Sequence, residues 1–113
     1  MDERERKIGE NEALYRTVNE RIEGLNQVFG TLTNTMTVVC ECGDGACAEQ
    51  IEIDVADYER IRSDPTFFII VPGHEIADVE DVVEERETFH VVQKHAGDPA
   101  DFAREQDERT EEP

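Results

Sequence analysis

Apolar residues in the first quarter of the chain recur in steps of three and four. They are Ile8, Tyr15, Val18, Ile22, Leu25 and Phe29, with Asn11 filling the one gap. No proline falls within residues 2–29, and Gly9 and Gly24 are the only breakers there. This spacing predicts a single helix of about 40 Å at 1.5 Å per residue, stopped by Gly30. Leu14 and Val28 lie beside the seam and widen it. A narrow seam would suit a two-stranded coil, and a wide one packs on a sheet of its own chain. The widening favours the second arrangement and leaves the first open.

Beyond residue 35 the period shortens to two. Thr37 to Cys40 reads as a strand, and Gln50 to Ile53 alternates as its antiparallel partner, which sets the segment between them at a hairpin tip. Asp54 is placed to begin a short helix through Tyr58, Ile61 and Arg62, and Asp64-Pro65 ends it. Phe67 to Val71 is an unbroken apolar run, predicted to be a central buried strand. Val79, Val82 and Val83 within residues 77–86 suggest an acidic helix, and Thr88 to Lys94 a last strand. Residues 96–113 are charged and contain proline, the pattern of a disordered acidic tail. The expected class is α+β: a long N-terminal helix packed on a small, mostly antiparallel sheet with a zinc-bound hairpin tip. Residues 1–34 form the helix and connector, 35–95 the α+β domain, and 96–113 the tail.

The hairpin tip carries the chemistry. All three cysteines of the chain, Cys40, Cys42 and Cys47, fall within eight residues around Gly43-Asp44-Gly45. Cys40 and Cys42 share one face of an extended strand, and the glycine turn can bring Cys47 back toward them. Thiolates crowded in this way call for a cation, and tetrahedral Zn²⁺ is the usual one. His74, in the turn Pro72-Gly73-His74 that follows the apolar run, is the expected fourth ligand. Asp44, His90, His95 or a solvent molecule are the rivals for that position. His90 and His95 lie five apart on one strand and face opposite sides, which suits surface roles.

Only 37% of residues are apolar, so the packed core is small and needs a staple. Three cysteines cannot all pair as disulfides, and the charged start Met1-Asp2-Glu3-Arg4 resembles no secretory or membrane-spanning segment. A reducing cytoplasm is the expected setting. Net charge is −18, with −2 in residues 1–34 and −16 in the remainder. Such a chain is repelled by nucleic acid and anionic membranes. The charge fits a basic protein partner, a high-salt cytoplasm, or a compositional bias that leaves only Lys7 and Lys94 as lysines.

Closed Cys₃His coordination marks structural zinc, and the chain has no His-Glu-x-x-His, phosphate-cradling loop or nucleophile elbow. The deaminase order of His-x-Glu before Pro-Cys-x-x-Cys is missing too. The reading is a non-enzymatic interaction or regulatory module, acting on a basic protein or through self-association of its N-terminal helix. A redox-responsive zinc–thiolate switch is the alternative, and a zinc enzyme the third reading. The acidic neighbours Glu41, Asp44 and Glu49 disfavour thiolate character without metal, which points to a quiet structural site.

Several strings taken together carry a resemblance: Asn11-Glu12-Ala13-Leu14-Tyr15-Arg16, Val18-Asn19-Glu20-Arg21-Ile22, the Cys40–Cys47 loop, Tyr58-Glu59-Arg60-Ile61-Arg62 and Val71-Pro72-Gly73-His74-Glu75. Over residues 11–95 the chain resembles a group of small bacterial proteins with no assigned activity. The resemblance implies that Cys40, Cys42, Cys47 and His74 belong to one shared feature, in an intracellular bacterial setting.

Overall fold

The computed structural model describes residues 1–28, 34–107 and 109, with side chains of the first helix described through Leu25. Helix α1 (Glu3–Val28) leads into a β-hairpin of β1 (Thr35–Val39) and β2 (Gln50–Asp54). Helix α2 (Val55–Arg62), strands β3 (Phe67–Ile70), β4 (Glu80–Glu85) and β5 (His90–Lys94), and helix α3 (Asp98–Glu105) follow. The α+β class and the long N-terminal helix over small antiparallel sheets are as the sequence predicts. Phe29, Gly30 and the connector to residue 33, including the predicted helix stop, lie outside the described residues.

There are two sheets among the described residues. The hairpin is a two-stranded ribbon with Val38 opposite Ile51 and Met36 opposite Ile53. The second sheet has three antiparallel strands in the order β3-β5-β4. Strand β3 is therefore not central within its ladder; β5 is. The outer edge of β3 is nevertheless covered, because the Glu41 N–H donates to the Ile69 carbonyl at 2.8 Å. The segment leaving β1 thus sews one sheet to the other. One core serves both, built from Met36, Val38, Ile51 and Ile53 of the ribbon, Tyr58 and Ile61 of α2, and Phe68 to Ile70, Val91 and Val92.

Two expectations are corrected. Residues 80–85 are strand β4, not a helix. Their burial alternates, but a charged residue, Glu80, takes an inward position while Val83 faces water. Glu80 is tolerated inside because Lys94 Nζ bonds its Oε1 at 3.1 Å and Glu12 Oε1 at 2.7 Å. A register irregularity between Val82 and Glu84 further hides the period of two. Residues 98–105 form helix α3, where a disordered tail is predicted. Pro99 stands in its first turn, where the missing N–H costs nothing, and Ala100 and Ala103 are buried. Arg109 then joins Glu20 at 2.6 Å and Glu59 at 3.0 Å, fastening residues past α3 to α1 and α2.

The seam of α1 also differs from the predicted one. Its buried face is Ile8, Glu12, Ala13, Arg16, Asn19 and Glu23, whereas Leu14 and Leu25 are 58% exposed and Val18 36%. Each inward polar residue has at least one specific partner. Arg16 donates to the carbonyls of Pro65 (2.6 Å) and Ala103 (2.8 Å) and stacks over Phe68 at 4.6 Å. Asn19 exchanges two 2.8 Å bonds with the backbone of Val39, capping the edge of β1.

Candidate metal centre

Strand β1 runs out at Val39, and Cys40 continues the ladder for one more bond, its N–H reaching the Glu49 carbonyl at 2.9 Å. The chain then stays extended through Cys42, so Cys40 and Cys42 face one side and Glu41 the other. Asp44 builds the reversal: its carboxylate accepts from the Ala46 N–H at 2.9 Å and its carbonyl from the Cys47 N–H at 3.0 Å. Helix α1 holds this loop from outside. Asn11 Nδ2 donates to the Gly43 carbonyl (2.8 Å) and the Tyr15 hydroxyl to the Gly45 carbonyl (2.9 Å). Gly43 is required there, because a Cβ would meet Ile8 Cγ2 at 2.5 Å and Ile76 Cδ1 at 2.9 Å.

His74 arrives from the other sheet. After β3, Val71-Pro72-Gly73-His74 makes a turn closed by the His74 N–H to the Val71 carbonyl at 3.0 Å. Gly73 has φ of 92°, the third-position conformation of a type II turn with proline second. The result brings Cys40, Cys42, Cys47 and His74 together, one donor atom from each lying within 4.8 Å of all the others. His74 Nδ1 is 3.6 Å from Cys40 Sγ and 3.7 Å from Cys47 Sγ. A tetrahedral zinc with the usual bond lengths has S···N edges of about 3.6 Å and S···S edges of about 3.8 Å. The two sulfur–nitrogen distances therefore already match tetrahedral edges.

The surroundings suit a cation. Glu49 Oε2 lies 2.9 Å from His74 Nε2. A carboxylate accepts, so Nε2 is the nitrogen that donates to Glu49 and Nδ1 is the one turned toward the thiols. The Val71 N–H donates to Cys40 Sγ at 3.2 Å, and backbone N–H groups of Cys42 and Asp44 reach the sulfurs of Cys40 and Cys42. These bonds favour thiolates, but burial outweighs them and holds the thiols of Cys40 and Cys42 above their ordinary range. A cation held by these residues would reverse that balance by favouring their deprotonated forms. Cys40 and Cys42 are buried, and Cys47 sits half-exposed at the rim.

The rival ligands fall elsewhere. Asp44 is committed to its own loop, His95 Nε2 lies 3.2 Å from Asp81, and the half-buried His90 stands outside the cluster. Of the acidic neighbours, Glu41 turns away from the thiols. It is fully buried on the opposite side, accepting from Asn19 Nδ2 (2.8 Å) and the Ile69 N–H (3.0 Å), with Arg62 at 3.8 Å. Strand alternation between the two cysteines is the sequence signal that could have placed it there. Glu49 and the clamps Asn11, Tyr15 and Asn19 left no comparable mark.

Among the described residues no helix is long and apolar enough to cross a membrane. Compared with known proteins, the chain matches no family model, no curated protein and no solved structure.

Proposed function

We propose that this protein is a small zinc-binding, non-enzymatic interaction module of a reducing cytoplasm, stapled by one structural zinc on Cys40, Cys42, Cys47 and His74. The observation that carries the reading is the histidine. Its Nδ1 stands at tetrahedral-edge distance from two sulfurs while Nε2 is held by Glu49. Four protein donors leave no position for a reacting water, the arrangement of structural rather than hydrolytic zinc. What zinc supplies here is charge neutralisation and a cross-link between the ribbon and the end of β3. The excess of acids after residue 34 points the module toward a protein partner, away from nucleic acid or anionic lipid.

A second reading rests on the exposure of Cys47. A peroxide would oxidise its thiol to a sulfenic acid, releasing water or an alcohol. The neighbouring Cys42 thiol would then displace water to close a disulfide, and two of zinc's ligands would be lost.

Elemental analysis of the reduced protein, with thiol titration before and after chelation, tests the first reading. One zinc per chain and thiols that react only after chelation are expected. Glu49→Ala should weaken zinc binding by about tenfold without unfolding the zinc-saturated protein. A metal-free protein with three reactive thiols and an unaltered fold would refute the reading. Zinc loss under mild peroxide, reversed by reductant, would favour the switch.

A further inference from the structure

Helix α1 is amphipathic in the reverse of the usual sense, and that inversion identifies a docking surface. Its inner face carries four polar residues, Glu12, Arg16, Asn19 and Glu23, each with a partner, while Leu14, Val18 and Leu25 are the exposed large apolar residues among its described side chains. Three exposed charges continue the same stripe: Lys7, Glu10 and Arg21. The stripe runs 7, 10, 14, 18, 21, 25, in steps of three and four, so all six side chains stand on one face. None of the three charges makes an ion pair among the described residues.

We propose that this face binds the same face of a second copy of the chain, with the two α1 helices antiparallel. Reversed and laid on itself about its midpoint, the stripe sets Leu14 against Val18 and Glu10 against Arg21. The aliphatic stem of Lys7 then covers Leu25. A two-fold axis repeats each of these contacts. In parallel alignment Glu10 would face Glu10, and Arg21 would face Arg21. A basic partner is disfavoured because Arg21 and Lys7 flank the apolar patch. The acid excess also lies after residue 34, and the described elements β1 and α3 of that part pack on the inner face of α1, so pairing through the outer face leaves them turned away from the partner copy. The inference rests on reading the chain as an interaction module and is independent of the metal, since no zinc donor lies on this face.

Sedimentation equilibrium of the zinc-loaded, full-length chain decides it. A dimer is expected at about 100 µM, where an interface with a micromolar constant is filled. Leu14→Asp should give a monomer of unchanged helix content. Glu10→Arg and Arg21→Glu, both at exposed positions that leave the fold intact, should each raise the dissociation constant by about tenfold. Combined in one chain they should restore the original value. A monomer at every concentration overturns the proposal, and so does a dimer in which the two charge reversals fail to compensate. Zinc content of the same samples separates the two readings. A zinc-loaded monomer sinks only the pairing, and a metal-free dimer with compensating reversals sinks only the zinc.

Discussion

The two sheets are held together by different physics. In the three-stranded sheet the central β5 contributes Val91 and Val92, and β3 contributes Phe68, Ile69 and Ile70, all buried. Burial of such side chains is worth about 1.5–3 kcal/mol each, which makes this sheet the hydrophobic half of the molecule. The ribbon β1–β2 has one five-residue ladder and gives the core four side chains from a single face. A lone two-stranded hairpin is marginal in water. Polar clamps from α1 make up part of the difference, and the proposed metal would tie the three cysteines of the ribbon tip to His74 beyond β3. Directional bonds replace apolar area where the sheet is too small to supply it.

The largest effect should therefore come from removing the proposed metal. Chelation of the reduced protein is expected to raise amide exchange in β1, β2, the Cys40–Cys47 loop and α1 by about two orders of magnitude or more. Strands β3 and β5 should lose much less. Hydrogen exchange with and without chelator reads both regions at once. Equal loss in the two sheets would mean that the molecule unfolds as one unit and that the contrast between them is false.

Glu41 sharpens the contrast because it sits where the two regions meet. Its carboxylate is bonded to α1 through Asn19 and to β3 through the Ile69 N–H, and it lies opposite the buried Arg62. Glu41→Ala would leave that guanidinium without its counter-charge and should cost about 3 kcal/mol. Glu41→Gln keeps an acceptor and should cost less. Unlike chelation, the loss should appear in the three-stranded sheet as well as in the ribbon. Urea unfolding of zinc-saturated variants gives the cost, and exchange gives its distribution.

What could be read from the sequence follows the same division. The ribbon, the cysteine loop, α2 and β3 were legible because apolar residues mark their inward positions, and the turn at Pro72-Gly73 marked His74. Legibility failed in β4 and α1, where polar or charged residues take inward positions. Glu80 disguised β4, and Glu12, Arg16, Asn19 and Glu23 disguised the buried face of α1, leaving Leu14 and Leu25 to suggest a seam that faces water. Helix α3 buries only small residues, Ala100 and Ala103, which carry little hydropathic signal. Periodicity reports burial only where burial is apolar. Partners such as Lys94 for Glu80, fourteen residues away, are visible only once the chain is folded.

The smallest expected effect tests the clamp at the C-terminal half of α1. Burial, and then a hydrogen bond shared with Glu59, push the carboxyl of Glu23 up to about 8, and the same bond and Arg109 hold Glu59 below its ordinary range. The folded protein thus keeps a proton on Glu23 that the unfolded chain releases near the ordinary glutamate value. A group whose folded state binds the proton more tightly makes stability fall as pH rises between those two values. Wild-type protein should lose stability from this group between about pH 4.5 and 8. Glu23→Gln retains a donor toward Glu59 and has no proton to lose, so it should flatten that decline and gain most above pH 8. Urea unfolding with saturating zinc at about pH 5, 7 and 9 measures the difference between the two proteins. It should grow toward the alkaline end, with exchange showing the change in α1 rather than in β3 and β5. A difference that is constant with pH would mean that Glu23 stays ionised in the folded protein and that α1 is held without a shared proton.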